Sequence, residues 1–175
     1  GEYMMRYAVP VLMCLMILSC QRSSYYELDS WAKSYVPPKN QSADSDDDIR
    51  ESVFRYQIHH NDSYQKDKAH GFYLAIAGGD PSDEFMVRFA RNETPIQKAS
   101  ACERTSDTPL GVHDKQSGLP GIILEIDALN RIGDKEAEVT GGYFEGGLSA
   151  SSNVYHVKFK NGAWVVTSVE GKSIS

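Results

Sequence analysis

The sequence predicts an α+β fold, with two short helices packed on one face of a mainly antiparallel, curved β-sheet of about five or six strands. Three observations carry this. Two early segments, near residues 48–58 and 81–91, join helix-start residues to apolar positions spaced by three and four. From residue 122 onward, apolar and alternating runs follow one another, broken by Gly and Asn turns. Helices early and strands late is the α+β order, and no repeat or second domain is visible.

The composition fits that class. The chain has 175 residues, 41% hydrophobic and 24% charged, enough for one domain and a tail. Lys and Arg number 18 against 24 Asp and Glu, a formal net charge of -6. An acidic chain is poorly suited to nucleic-acid phosphates, so no nucleic-acid partner is expected.

The first helix is expected to start at Asp47 or Asp48, with Glu51 in its first turn. Ile49, Val53, Phe54, Tyr56 and Ile58 form its apolar face, and His59-His60-Asn61 stand at its C-terminal end. HGFYLAIAGG, 70–79, is short and apolar on both faces and reads as a buried strand. Asp80-Pro81-Ser82-Asp83-Glu84 is a helix start, with Asp80 as cap and Pro81 at the first helical position. Phe85 and Phe89, at i and i+4, extend that helix over 81–91.

IQKASACER, 96–104, alternates weakly and predicts one strand, and 105–121 a loop or loose hairpin. Ile122, Leu124 and Ile126 share one face of the next strand. Gly133-Asp134 turns the chain into a strand over 135–144 with an irregularity at Gly141-Gly142, and Gly146-Gly147 turns it again. NVYHVKFK and AWVVTSVEG, joined by Asn161-Gly162, make a hairpin on a type I′ turn. Its expected pairs are Phe159–Trp164, Val157–Val166 and Tyr155–Ser168. Tyr155, Val157, Phe159, Trp164 and Val166 then share one face, opposite His156, Lys158 and Lys160.

The N-terminus reads as an address. Arg6 precedes an apolar run of 12 residues, Tyr7 to Leu18, interrupted only by Pro10. Roughly 18–20 residues are needed to span a bilayer, so this run suits a secretory signal instead. It ends in Ile17-Leu18-Ser19-Cys20, which resembles a bacterial lipobox, with a bulkier Leu18 than usual before the small residue. The sequence therefore divides into a lipoprotein signal peptide (1–20), a polar tether (21–47) and a single α+β domain (48–175). Cys20 is the expected lipidation site and the membrane the expected partner through that lipid. Gln21 after the cysteine implies, by the same resemblance, outer-membrane sorting facing the periplasm. A tether of this length reaches roughly 30 Å. Cys14 leaves with the signal, so Cys102 remains alone; were Cys20 not lipidated, a Cys20–Cys102 bridge becomes possible.

From about Asp48 to Ser175 the chain resembles a family of uncharacterised bacterial envelope lipoproteins. IRESVFRY, DPSDEF and above all GGYFEGGLSASSNVYHVKFKNGAWVV carry that resemblance. It implies a place, the bacterial cell envelope, and no activity. The helix-plus-curved-sheet layout is similar in shape to cystatin-like and nuclear-transport-factor-like domains, and shape confers no function.

No catalytic or metal-binding constellation stands out. His59, His60, His70, His113 and His156 include no pair spaced i, i+4 around a glutamate. Cys102 has no histidine nearby in sequence to lower its thiol pKa. Ser149, in Gly-Leu-Ser-Ala-Ser, misses the nucleophile elbow at its last position. Gly171-Lys172-Ser173 lacks the first glycine and following helix of a phosphate loop. The glycine pairs around Tyr143-Phe144-Glu145 read as a strand bulge and a tight turn. If a ligand approaches the backbone closely it does so here, at Gly142, Tyr143, Glu145 and Gly146. The expectation is a lipid-anchored, non-enzymatic binding or structural module without cofactor, meeting an envelope protein or small ligand. The alternative is a small envelope hydrolase or ligand-binding enzyme with its site near strand 141–147.

Overall fold

The structure, a computed structural model, describes residues 40–60, 68–105, 111–147 and 149–174. The signal peptide, Cys20, most of the tether and Asn61 lie outside the described residues. Two helices, α1 (Asp46–His59) and α2 (Asp83–Val87), accompany eight strands. The strands are β1 (Phe72–Ile76), β2 (Ile96–Lys98), β3 (Cys102–Arg104), β4 (Val112–Asp114), β5 (Ile122–Gly133), β6 (Glu136–Gly146), β7 (Ser149–Lys160) and β8 (Ala163–Ile174). The α+β expectation holds: six strands form one open sheet in the order β2-β1-β5-β6-β7-β8, and β3 and β4 form a small ribbon.

The start of α1 differs from expectation. Ser45 is the cap, its hydroxyl accepting the Asp48 N–H at 3.2 Å. Asp46, Asp47 and Asp48 fill the first turn, where their charge suits the helix dipole. Ser82, not Asp80, caps α2, accepting from Phe85 N–H at 3.1 Å. Asp80 instead accepts the Ser100 N–H at 2.8 Å. Regular helix ends at Val87 and tighter turns carry the chain on, yet Phe85 and Phe89 are both buried as their spacing predicts.

The expected strand 96–104 is two strands in two sheets. A 3₁₀ turn at Ala99–Ala101 breaks it. β2 lies parallel to β1 through the α2 crossover, as a parallel pair requires, and β3 pairs antiparallel with β4, which lies in the segment read as a loop or loose hairpin. β1 also lies parallel to β5, so one side of the sheet is parallel and β5 to β8 form the antiparallel meander.

Asn161 (φ 53°) and Gly162 (φ 79°) make the hairpin turn in the left-handed region the type I′ turn demands. Phe159 pairs with Trp164 and Val157 with Val166, as expected. Tyr155 pairs with Val169 and not Ser168, because Thr167 is an extra residue that shifts the register by one. Further shifts fall at Asp127 and Ile132 in β5, Glu145 in β6 and Lys172 in β8. Bulges bend and twist the strands that carry them, which curves the meander around α1.

The main core lies between that meander and the helices. Trp164, Phe54, Ile49, Leu74, Leu124 and Val139 are fully buried in it. A smaller cluster of Tyr73, Cys102, Val112, Ile123 and Phe144 sits on the opposite side of the sheet, under the β3–β4 ribbon. Between α1 and α2, Arg88 Nη1 reaches Asp48 Oδ1 at 2.6 Å and Glu51 Oε2 at 2.8 Å, pairing two buried carboxylates. Residues 41–43, which the sequence reading places in the tether, are bonded to the domain. Gln41 N–H donates to Gly162 O, Trp164 N–H to Gln41 Oε1 and Trp164 Nε1–H to Ser42 O.

Candidate functional site

The Gly-rich end of β6 is built from residues with different surroundings. Tyr143 is half-buried against the main core, while Phe144 points into the smaller cluster. Arg104 stacks on the Phe144 ring, 3.8 Å from its centroid, and pairs with Glu125 at 3.0 Å. Gly141 and Gly142 have a packing cause. A Cβ on Gly142 would collide with the Ser151 carbonyl, and one on Gly141 with the Glu125 carbonyl. The flanking strands fill the space that the missing side chains leave.

Gln57 of α1 lies over this glycine pair, 5% exposed. Its Nε2 donates to Gly142 O at 3.1 Å, Glu125 O at 3.2 Å and Tyr155 Oη at 3.2 Å. Asn153 Nδ2 donates to the same phenol oxygen at 3.3 Å. Burial pushes the Tyr155 phenol pKa up, and these hydrogen bonds oppose it. The sequence reading passed over Gln57, Asn153 and Tyr155 as site residues. The available signal was an uncharged polar residue between apolar neighbours on a helix face that meets two glycines.

Glu145 is the extra residue of the β6 bulge and is 1% exposed. Ser149 Oγ donates to its Oε2 at 2.8 Å, while Oε1 is buried with no hydrogen-bond partner. Burial pushes the carboxyl pKa above its ordinary value, and the Ser149 hydrogen bond pulls it the other way. Its backbone carbonyl accepts the Gly111 N–H at 2.7 Å. Tyr143 and Glu145 therefore do not line one open pocket. The bulge separates them, with Tyr143 toward α1 and Glu145 at the junction of β6, β7 and the segment leading into β4.

The other candidate groups are placed as follows. Cys102 is a buried free thiol whose Sγ lies 3.2 Å from Ala99 O; burial pushes its pKa up to about 11, away from nucleophilic use. Tyr73 Oη donates to Asp114 Oδ2 at 2.9 Å; burial first, then that bond, pushes the phenol pKa up. Hydrogen bonds from the Ser117 backbone and side chain hold Asp114 at about 2. Among the described residues, no group of three His, Cys, Asp or Glu could hold a metal ion, and no helix is long and apolar enough to cross a membrane.

The outward side of β6–β8 carries a different arrangement. His156 Nδ1 is 3.4 Å from Glu138 Oε1 and its Nε2 is 3.3 Å from Glu170 Oε1, ion-pair distances without hydrogen-bond alignment. Lys158 pairs with Glu136 at 2.9 Å. A shallow groove of about 270 Å³ runs over Glu136, His156, Lys158, Thr167 and Glu170 to Ile132. Ile132, 57% exposed, separates it from a second groove over Asp44, Arg131 and Asp134. The sequence put His156 and Lys158 on this side without singling them out. Comparison with protein-family models, curated proteins and solved structures finds no match to this chain.

Proposed function

We propose that the chain is a lipid-anchored binding module of a bacterial cell envelope, held by Cys20 and facing the periplasm from the outer membrane. The observation that carries this reading is the run Ile17-Leu18-Ser19-Cys20 at the end of a short apolar segment, followed by Gln21 and a polar stretch. The one-sided covering of the sheet supports a binding role. The helices cover one side and the β3–β4 ribbon covers part of the other, leaving the grooved face around His156 and Ile132 for an envelope protein or small ligand. Cys20→Ala should abolish incorporation of a labelled fatty acid and release the domain from membranes. A photo-crosslinking residue at Lys158 should join the anchored protein to a neighbour, whereas one at exposed Val87 should not. Membrane retention without an acyl chain in the wild type would reject the anchor, and equal crosslinking at both positions would reject the face.

A second reading, a small envelope hydrolase, rests on the 2.8 Å hydrogen bond from Ser149 Oγ to Glu145 Oε2. In that role Ser149 Oγ attacks an ester carbonyl as its proton passes to Glu145. The acyl-serine forms, the departing alkoxide takes the proton, and water releases the acid. A fluorophosphonate probe should then label the wild type and not Ser149→Ala, and an unlabelled wild type rejects the reading.

A further inference from the structure

We propose that Glu145 is a proton-operated latch, neutral when the junction of β6, β7 and the segment leading into β4 is closed, and loosening that junction when it ionises. Among the described residues, Glu145 is the only carboxylate with a buried oxygen that has no hydrogen-bond partner. The protonated acid is the form that such a site accepts. Among the described residues, an ionised one would have a single hydroxyl, Ser149, to replace its water shell.

The backbone around it makes a closed clasp. Glu145 O accepts from Gly111 N–H at 2.7 Å, and Gly111 O accepts from Thr105 N–H at 2.7 Å. Gly111 is wedged in place, since a Cβ there would meet the Thr105 carbonyl and stand 2.8 Å from Gly146 Cα. An acid that leaves its burial site must move the bulge whose carbonyl holds Gly111.

Among the described residues, no charged group of the surrounding elements is bonded to the Glu145 carboxylate. On β3, Arg104 stacks on Phe144 and pairs with Glu125 of β5, and Glu103 stands opposite His113 of β4. Asp114 of β4 holds Tyr73 and Ser117. On β7, the Ser149 hydroxyl is the group that meets the carboxylate. The latch requires neither the lipid anchor nor a nucleophilic Ser149, so its failure leaves both functional readings standing, while its success excludes the hydrolase reading, whose base is an ionised Glu145.

Amide hydrogen exchange at Gly111 tests it in the folded chain. In the wild type, protection relative to the intrinsic exchange rate should fall by up to about tenfold per pH unit between the ordinary carboxylate pKa and the raised one of the closed form, the slope for one proton released on opening, and level off above it. In Glu145→Gln, a neutral isostere, protection should stay flat. Ser149→Ala keeps the acid and removes the hydrogen bond that favours its charge in the closed form, so the fall should begin at the same pH and continue to higher pH. This variant decides the matter if Glu145→Gln does not fold. A flat wild-type profile, the same slope in Glu145→Gln, or a fall that levels off at the same or lower pH in Ser149→Ala would overturn the latch.

Discussion

The two sides of the β6–β8 meander differ in how tightly they constrain sequence. On the helix side, Ala137, Val139, Tyr155, Val157, Trp164 and Val166 are all buried, and Trp164 meets Phe159 edge-to-face at 5.5 Å. On the other side, the same strands present the Glu136–Lys158 ion pair and His156 beside Glu138, open to water. One side holds the domain together through close packing, where each lost atom leaves a void. The other contributes little to folding, because exposed ion pairs are worth about 0–1 kcal/mol. It is the side on which residues can change for reasons other than stability.

Four measurements can break or sharpen that contrast. Trp164→Ala should destabilise the domain by about 3–5 kcal/mol, the usual cost of deleting a buried aromatic ring. A harmless Trp164→Ala, read from denaturant midpoints, would mean that this side is not the core. Gly162→Val should cost about 1–3 kcal/mol, since a β-branched residue must be forced to φ near 79°. Calorimetry at fixed pH checks this, and an unchanged melting temperature would show that the turn does not set the hairpin.

A third, pH-dependent term comes from Glu145. Its carboxyl titrates above the ordinary range in the folded chain, so the unfolded chain loses its proton first as pH rises. Its stabilising contribution is fully present below the ordinary carboxylate pKa and is lost as pH rises through the raised value. Denaturation midpoints across that window should decline in the wild type more than in Glu145→Gln, and parallel curves would contradict the assignment. Lys158→Ala, the smallest effect, should change stability by about 0.5 kcal/mol or less. If it costs as much as Trp164→Ala in the same titration, the two sides have been confused.

The contrast also explains which parts of the fold could be read from residues alone. The hairpin was legible because Asn161-Gly162 and the alternation around it are local signals. Helix α1 was legible in its apolar face, but its cap was not, since several Ser and Asp residues compete at its start. The break of 96–104 into β2 and β3 depends on β1 and β4, partners that local alternation does not reveal. Bulges at Asp127 and Thr167 leave no clear local mark either, and the second moved the partner of Tyr155. At the candidate site, the sequence placed an irregularity at Gly141-Gly142, yet both pair in register with β5 and β7, and the bulges fall at Asp127 and Glu145 instead. What requires glycine there, close approach of the Glu125 and Ser151 carbonyls beneath Gln57, is a tertiary fact. Glu145 read as a contact for a ligand near the glycines, and its burial, with its carbonyl held by Gly111, distant in sequence, is a tertiary fact.

Residues 41–43 determine where mechanical load enters the domain. A pull from the N-terminal side reaches Gln41 before α1, and Gln41 is fastened to Gly162 through its N–H and to Trp164 through its side chain. Ser42 O takes the Trp164 indole N–H, and Ala43 O takes Arg131 Nη1–H at 2.8 Å. The force is therefore shared among several hydrogen bonds to the end of the β7–β8 hairpin and to β5. These must give way before tension can unwind the first turn of α1 or part the buried carboxylates from Arg88.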